Sequence, residues 1–549
     1  RSLRMKRCRS LKSSGRPVTW SLMTKAASLL PPRIEDYVGP DNPVRAIDGF
    51  VCALDLARLG FRHADRVVGA GQPPYDPADL LKLYLYGYIN QIRSSRRLER
   101  EACRNLELIW LLKNQRPGYR TIGNFRKENW KALKAVNRSF VLLARELGLV
   151  GGTLVAIDGA LFHGDASKAS IFTRRKLAEQ IANLDKEIEA YGQSLEDNDA
   201  TESEPRPDGH SDDGAGQGGD LAAMVKELMA KRSRAQADLE ELDASDRRQL
   251  SLTDPDARLL SKGDQTIAGY NVQSVVDDKH MLIVASEVVD SSDAGHLHAM
   301  AKAAKEALEV NSLQVLADAG YYNSMDLKSC EDDGIEVFMP PFEGNGVLEK
   351  QGRFRMKDFS YDATTDAYRC PAGELLRPTK ARFTNTSGRV EIRYLSRKAV
   401  CNACPLRPRC LAPKSAQRII GRWEHEDVIE RHRARMQSPD ADDLMRRRSS
   451  IVEHPFGTIK CRAGYRHFLV RGFNKVRGEW NLMALCYNFT RVHNILCLER
   501  FMAALAKAIS LCQGAPATVP QWIALVSAAF WLRIAQQFAI ARLTPIAAC

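Results

Sequence analysis

The stretch TLVAIDG, residues 153–159, is a short apolar run that ends in an aspartate and a glycine. Its length and its Asp-Gly ending are typical of a buried β-strand. A second run with a similar ending, LQVLADAG, spans residues 313–320. Asp158 and Asp318 therefore each close a predicted strand, and open α/β sheets place ligand sites at such strand ends. Taken singly, either aspartate could also cap a turn or a helix.

The residues between and after these two runs predict a single mixed sheet. GYNVQSVV at 269–276 and MLIVASEVV at 281–289, joined by the turn DDKH, indicate a β-hairpin. The further predicted elements are a helix over about 294–309, a strand over 313–318, a helix over about 323–333 and a strand over 335–339. The predicted order from residue 153 is β-β-β-α-β-α-β, an α/β fold. This order brings Asp158 and Asp318 together.

A pair of neighbouring carboxylates needs a cation, because two nearby negative charges repel each other. Carboxylate oxygens are the ligands that Mg²⁺ and Mn²⁺ prefer. The sequence therefore predicts a divalent-metal site at Asp158 and Asp318.

Glu453 stands alone in the most basic part of the chain. It is the one acidic residue among nine basic ones, at positions 446, 447, 448, 460, 462, 466, 471, 475 and 477. Residues 440–460 are predicted to be helical, with Pro455 either opening a new helix or kinking an existing one. On a continuous helix Lys460 would lie almost above Glu453, since seven residues turn through about 700°. Glu453 is thus a candidate third metal ligand, or alternatively a surface partner of Lys460.

The net charge of +13 and its clustering favour a nucleic-acid partner. Residues 40–150 are predicted to be helical, and a helix near 81–92 has apolar residues along one face. The third predicted helix, from about Thr121, carries Arg126, Lys127, Lys131 and Lys134. Three helices with a cationic last one suit a helix-turn-helix-like DNA reader. A helical bundle with a solvated basic face is the alternative.

Two segments interrupt the predicted core. Residues 174–250 have heptad spacing in two halves and predict an antiparallel coiled-coil hairpin with a disordered acidic tip at 194–220. Residues 341–437 contain Cys370, Cys401, Cys404 and Cys410, which could bind a structural Zn²⁺. Unmetallated thiols in a small β-rich insertion are the alternative to zinc.

Taken together, these motifs resemble the DDE transposases of bacterial insertion sequences. The similarity runs from about Leu30 to Leu498 and includes LPPRIEDYV, YDPADLLKLYLYGY, TIGNFRK, AIDG, GYNVQSVVD, LADAGYYN, VEHPFGTIK and YNFTRVHNI. Such enzymes have an RNase H-like core whose two aspartates and one glutamate bind metal. The resemblance implies that Asp158, Asp318 and Glu453 form this triad, with Mg²⁺ or Mn²⁺ as cofactor.

The resemblance also implies the partners: double-stranded DNA, as terminal inverted repeats and target, and a second copy of the chain in a synaptic homodimer. Glu453 and Lys460 have the spacing of one branch's tyrosine-arginine-glutamate-lysine signature, but Ser449 and Arg446 stand where its arginine and tyrosine are expected. Ala160 replaces the usual threonine after Asp-Gly. The expected DNA contacts are Lys460, Arg448, Arg447, Arg462, Arg466 and Arg126.

The expected function is cleavage at the ends of an insertion sequence and joining of the 3′-hydroxyl ends to target DNA. A DNA-binding protein derived from a transposase, a metal-dependent nuclease and a scaffolding protein are the alternatives. The 13 cysteines and the lack of a 20-residue apolar run predict a reducing, cytoplasmic setting, associated with the nucleoid and without a membrane partner. The predicted domains are a leader (1–29), a helical DNA-binding domain (30–150), the core (151–173 and 251–340), the two interruptions, a final core helix with its basic face (438–498) and an apolar tail (499–549).

Overall fold

The computed structural model describes residues 33–65, 74–202, 215–341, 351–385 and 388–513. The predicted leader and most of the predicted tail lie outside these residues, as does the middle of the predicted acidic tip. No helix in the described part of the chain is long and apolar enough to cross a membrane.

The N-terminal region is helical, as predicted, but contains more helices than the three expected. The single cationic helix predicted from Thr121 is two helices, because Asn129 leaves the helical path and its side chain accepts a hydrogen bond from the Arg62 backbone N–H. The helices are α1 (Ile34–Tyr37), α2 (Val44–Cys52), α3 (Pro77–Ile89), α4 (Ser95–Arg104), α5 (Leu106–Leu111), α6 (Tyr119–Glu128) and α7 (Trp130–Glu146).

Helix α3 is buried almost all round rather than along one face. Leu81, Leu83, Leu85 and Tyr84 are all fully buried although they point in different directions around the helix. The α3 helix begins with Asp76, whose side chain accepts a hydrogen bond from the Ala78 N–H, and with Pro77 in the first turn. A helix that is apolar on every side belongs in the centre of a bundle.

The core follows the predicted strand and helix order. Its elements in chain order are β1 (Leu154–His163), β2 (Ile171–Thr173), α8 (Arg174–Glu202), α9 (Ala215–Ala244), β3 (Gln249–Ser251), β4 (Arg258–Lys262), β5 (Gln265–Asp277), β6 (Ile283–Val289), α10 (Leu297–Leu308), β7 (Leu313–Leu316), α11 (Ser324–Asp332) and β8 (Ile335–Phe338). The strand β4 and the two-stranded β2–β3 pair were not predicted.

Strand β1 is the centre of a six-stranded mixed sheet. It pairs antiparallel with β5 and parallel with β7, β7 pairs parallel with β8, and β4 and β6 both pair antiparallel with β5. The prediction that Asp158 closes β1 is wrong, because β1 continues to His163 and Asp158 is paired with Ser274. The parallel pairing with β7 nevertheless stops at Ala156, so Asp158 lies just beyond the carboxyl end of β7.

Helices α8 and α9 pack side by side outside the sheet. Leu177 and Leu184 of α8 and Ala235 and Leu242 of α9 are buried. Arg232, which interrupts the apolar spacing of α9, forms an ion pair with Asp185 of α8. The helices extend to Glu202 and from Ala215, further into the predicted disordered tip than expected. The helical hairpin is present, and its coiled-coil geometry stays a prediction.

The second interruption is built on its own antiparallel sheet in the order β13-β12-β11-β10-β9. Phe359, Tyr368, Leu376, Tyr394 and Ile420 form its separate apolar core. Its elements are β9 (Ser360–Asp362), β10 (Ala367–Arg369), β11 (Leu375–Thr384), β12 (Val390–Leu395), α12 (Lys398–Asn402), α13 (Arg407–Cys410) and β13 (Ile419–Trp423).

Three helices complete the fold: α14 (Glu426–Met436), α15 (Pro439–Gly457) and α16 (Phe473–Gln513). Pro455 lies inside α15, which ends in a π-helical turn over Thr458–Arg462. Helix α16 is broken at Cys497, where the backbone adopts a positive φ of 59°. Helix α15 packs on β1 and β5, and α16 packs on α7 and α3.

A buried charge cluster joins the N-terminal helices to α16. Glu479 is fully buried, and its Oε1 lies 3.5 Å from an Arg93 nitrogen and 3.9 Å from an Arg126 nitrogen. Its Oε2 accepts a hydrogen bond from the Leu469 N–H, and Arg126 donates to the Tyr88 hydroxyl. Buried charges persist when they are paired and hydrogen-bonded in this way.

Candidate functional site

Three aspartates converge at the edge of the sheet. Asp158, Asp293 and Asp318 each place an oxygen within 4.8 Å of the other two, in an arrangement that could hold a metal ion. Asp158 comes from β1, Asp318 lies two residues beyond β7, and Asp293 follows β6. The predicted meeting of Asp158 and Asp318 is therefore present, and a third carboxylate is added to it.

Asp318 is positioned by the turn that it begins. Its Oδ1 accepts a hydrogen bond from the Gly320 N–H at 2.9 Å, and it caps a short 3₁₀ helix, Ala319–Tyr321. Burial raises the pKa of Asp318, and repulsion from Asp158 and Asp293 adds to it, against the attraction of Lys262 and Arg448. The site is thus electrostatically unfavourable for a third negative charge.

Asp293 was missed by the sequence analysis, although it too follows a predicted strand. Its side chain is 11% exposed. Its Oδ1 accepts hydrogen bonds from Asn271 at 2.8 Å and from Gln273 at 2.7 Å, both on β5. Burial opposes ionisation of Asp293, but these hydrogen bonds and the charge of Lys262 outweigh it and lower its pKa. Asp293 is therefore held as a carboxylate.

Gly159 makes room for this arrangement. A Cβ atom at this position would lie 2.0 Å from Asp293 Oδ1 and 2.5 Å from Gln273 Nε2. No side chain fits at such distances, so only glycine allows the Asp293 carboxylate to approach β1. The glycine of the AIDG motif is explained by this close approach and not by the strand ending that was predicted there.

Lys262 is the cation nearest to the aspartates. From the end of β4 its Nζ lies 2.9 Å from Asp158 Oδ1, 3.1 Å from Asp293 Oδ2 and 2.6 Å from the Gly159 carbonyl. Burial lowers the pKa of this ammonium, but the two carboxylates prevail and raise it. Lys262 therefore partly neutralises the cluster in the absence of a metal.

Glu453 lies outside this cluster. No acidic group other than the three aspartates belongs to a potential metal-binding group among the residues described. The Glu453 side chain is exposed and accepts a hydrogen bond from the Ser449 hydroxyl one turn earlier. The structure thus brings together two members of the predicted triad and leaves the third at the surface of α15.

The predicted stacking of Lys460 over Glu453 fails because the helix does not continue as an α-helix. The π-helical turn that begins at Thr458 shifts the angular position of later side chains. Lys460 turns towards β1, where its Nζ donates to the Leu161 carbonyl at 2.8 Å and lies 4.5 Å from the Phe162 ring centroid. Burial, then repulsion from Lys262, lowers its pKa.

The predicted DNA-contacting arginines have different environments. Arg462 and Arg466 are exposed. Arg447 forms an ion pair with Asp278 and remains half-exposed. Arg448 acts electrostatically on Asp318, and its buried Nη1 has no hydrogen-bond partner among the described residues. Arg126 disagrees with the prediction, because it is buried beside Glu479 and lacks a surface to offer to DNA.

The four cysteines of the second interruption line one cavity of about 300 Å³. All four are free thiols. Burial raises the pKa of Cys410; Arg418 opposes the rise and the other three cysteines add to it. No three of the sulfur atoms lie within 4.8 Å of one another in the described structure. The cysteines are therefore gathered around one space without the close packing of a closed tetrahedral site.

Comparison with known proteins identifies two regions of the chain. Residues 369–493 match the family model described as the transposase DDE domain, and residues 32–128 match a second one described as a transposase domain, DUF772. The resemblance to insertion-sequence transposases is confirmed. The DDE-domain match includes Glu453, Lys460 and the four cysteines, whereas Asp158, Asp293 and Asp318 precede it.

No curated protein matches the sequence significantly. Among solved structures, the chain is similar to the piggyBac transposase in a synaptic complex with hairpin DNA. The alignment has 8% identity and a TM-score of 0.28, and covers 88% of this chain and 84% of the other. A TM-score this low carries no argument, and the transposase assignment depends on the two domain matches.

Replacing Asp318 by Asn should stabilise the metal-free protein near neutral pH. Because the folded-state pKa of Asp318 is raised above 3.8, the native state binds the proton more tightly than the unfolded state. The wild type therefore loses stability as pH rises through the folded pKa, and Asp318→Asn avoids this loss. Thermal unfolding in EDTA should show a higher midpoint for the variant at neutral pH and no gain below the ordinary pKa of 3.8.

The matched control is Asp332→Asn, since Asp332 is an exposed residue paired with Lys328. It should show no rise in midpoint at neutral pH. An Asp318→Asn variant that is less stable than the wild type at neutral pH in EDTA would contradict the described electrostatics.

The exposed and buried arginines should differ in their effects on DNA binding. Arg462→Ala or Arg466→Ala should reduce the slope of log binding constant against log salt concentration by about 0.9, as expected for one lost phosphate contact. Arg126→Ala should leave the slope unchanged and cost on the order of 3 kcal/mol of stability, because it removes one of the two buried arginines that face the Glu479 carboxylate. Salt titrations of DNA binding and urea unfolding measure the two effects, and the reverse pattern would reinstate Arg126 as a DNA contact.

Proposed function

We propose that this chain is a DNA transposase that cleaves the ends of an insertion sequence and joins the 3′-hydroxyl ends to target DNA. The observation that carries the proposal is the convergence of Asp158 and Asp318 at one edge of the sheet. The two transposase-domain matches elsewhere in the chain support it. An acidic cluster alone is common in proteins, and its combination with these domains gives it a specific meaning.

We assign the core to the RNase H-like class. The supporting observation is the strand order β6-β5-β1-β7-β8, in which three antiparallel strands are followed by two parallel ones. Helix α10 connects β6 to β7, and helix α11 connects the parallel strands β7 and β8. Helix α15, which carries Arg448 and Glu453, packs on β1.

The residues present fit divalent cations. The three aspartates offer oxygen ligands only, which suits Mg²⁺ or Mn²⁺. The ammonium of Lys262 already lies between two of them, which indicates that a positive charge is stable there. We propose Asp158, Asp318 and Glu453 as ligands, and Glu453 would have to move from its position at the surface of α15 to join the two aspartates.

Divalent cations bound here would polarise the scissile phosphodiester, generate the nucleophile and stabilise the leaving oxygen. The chain itself would hold the substrate. Lys460 is fixed beside Phe162 on β1, close enough to Asp158 for their charges to interact. Arg448 attracts Asp318 electrostatically, and we propose that its positive charge also attracts the phosphate of the bound DNA. No residue of the chain has to become covalently attached to DNA.

Double-stranded DNA is the proposed partner, with the terminal inverted repeats and the target site as its two forms. Arg462, Arg466 and Arg447 are proposed to contact its phosphates. A homodimer that brings two ends together is proposed as the active assembly, because each end needs one site and the two ends must be joined to the same target.

Asp158→Asn, Asp318→Asn and Glu453→Gln should each reduce Mg²⁺-dependent end cleavage by at least about a hundredfold. Loss of a residue that merely orients a metal ligand already costs about 10–100-fold in affinity or activity, and a ligand should cost more. DNA binding should be retained, since it depends on the basic residues. Cleavage and gel-shift assays on DNA carrying the sequences that flank the gene measure both.

The control is Asp443→Asn, because Asp443 is exposed on the same helix as Glu453 and pairs with Arg446. It should cleave normally. Cleavage by all three active-site variants would overturn the assignment. Products in which a 3′ end is joined to a second DNA separate a transposase from a plain nuclease, which would stop at hydrolysis.

We further propose a structural zinc ion held by Cys370, Cys401, Cys404 and Cys410. The support is their position around one cavity and their mutual effect on the pKa of Cys410. To bind one zinc ion, the four cysteine sulfurs would have to lie closer to one another than they do here. Binding of the metal would bring them together.

Elemental analysis of the purified chain should find one zinc, and Cys404→Ser or Cys410→Ser should lose it. Cys103→Ser, which changes an exposed cysteine of α4, should keep it. Chelation should lower the unfolding midpoint of the wild type. A zinc-free chain whose unfolding is unaffected by added zinc or chelator would refute the site.

A further inference from the structure

Asp293 has the surroundings of a metal ligand although no transposase motif in the sequence points to it. We infer that Asp293 binds the divalent cation together with Asp158 and Asp318, and that the Lys262 ammonium competes with the cation for the same carboxylate oxygens. The inference rests on the proposed function, because it adds a ligand to the same site.

The first support is the fixed orientation of the Asp293 carboxylate. Gln273, which donates to Asp293 Oδ1, is itself fully buried, and its Oε1 accepts a hydrogen bond from the Tyr321 hydroxyl. Tyr321 ends the 3₁₀ turn that Asp318 begins. The two aspartates are thus joined by one chain of hydrogen bonds. Metal ligands are typically oriented by such outer partners.

The second support is an unpartnered acceptor close to Gly159 and Asp293. Asp293 Oδ1, Gln273 Nε2 and Asn271 Oδ1 all lie within 2.8 Å of the position that a Gly159 Cβ atom would take. Asn271 is 1% exposed, its nitrogen donates to Asp293 and to the Ser291 carbonyl, and its oxygen has no hydrogen-bond partner among the described residues. An unpartnered buried acceptor is costly, and it indicates a donor that the protein itself does not supply. A water molecule bound to a cation is such a donor.

The third support is the use of the remaining oxygen of Asp293. Its Oδ1 is taken by the two amides, whereas Oδ2 faces Lys262, as does Oδ1 of Asp158. A cation bound to these oxygens would compete directly with the ammonium. The Lys262 side chain is 41% exposed and extends from the end of β4 next to the Gly263 turn, so it can move to solvent without disturbing the sheet.

Mn²⁺ binding to the full chain, measured by isothermal titration calorimetry, tests the inference without requiring activity. Asp293→Asn should weaken Mn²⁺ binding by at least about tenfold, which is the minimum expected even for an orienting residue. Lys262→Met should tighten Mn²⁺ binding several-fold, because it removes the competing charge and leaves all three carboxylates. Asp290→Asn, an exposed change on the same loop, should bind as the wild type does.

Circular dichroism and the unfolding midpoint establish that each variant is folded. A folded Asp293→Asn that binds Mn²⁺ like the wild type overturns the inference. If that variant does not fold, the Lys262→Met variant provides the test. Mn²⁺ binding by Lys262→Met that is unchanged or weaker than that of the wild type overturns the inference. Asp158→Asn separates the two hypotheses: if it alone abolishes binding, the proposed function stands without Asp293. If the wild type binds no Mn²⁺, both the inference and the proposed function are overturned.

Discussion

The repulsion among three carboxylates at one edge of the sheet is the constraint around which the core is arranged. Asp158, Asp293 and Asp318 reach this edge from β1, from the segment after β6 and from the turn after β7. Asp293 is held by donors from β5, Asp318 accepts a hydrogen bond within its own turn, and the Lys262 ammonium contacts Asp158 and Asp293. Such proximity of like charges costs stability, and proteins retain it where a bound cation repays the cost.

The carboxylate edge also explains features that are otherwise separate. Gly159 lacks a side chain because the Asp293 carboxylate occupies that position. Asn271 and Gln273 are polar residues in a buried strand because they orient Asp293. Arg448, on the helix that packs on the sheet, attracts Asp318 electrostatically and has a buried nitrogen without a hydrogen-bond partner among the described residues. Under the proposed function, these residues would act together on a phosphodiester beside metal ions.

How much was predictable differs from residue to residue. Asp158 and Asp318 follow apolar runs, so their convergence could be inferred from strand order. The positions of Asp293 and Lys262 in the cluster could not be inferred. The β4 sequence alternates too little between apolar and polar residues to predict a strand, and Asp293 resembles the start of α10. The direction in which the Lys460 side chain points depends on a π-helical turn that no pattern in the sequence predicts. Arg126 was wrongly predicted to contact DNA. Helix periodicity identifies a cationic face, but it does not show that Glu479, 353 positions later, packs against that arginine.

The short β2–β3 pair has a consequence for the way this chain tolerates insertion. Because Ile171 pairs with Ser251 and Thr173 with Gln249, the polypeptide leaves the core and returns to it at adjoining points. At the base of the helical hairpin, Leu177, Leu242 and Leu250 form a small apolar cluster of their own. A helical hairpin attached in this manner can change in length by whole helical turns without moving the sheet edge that carries the three aspartates. Its length can therefore vary in evolution independently of the candidate metal site.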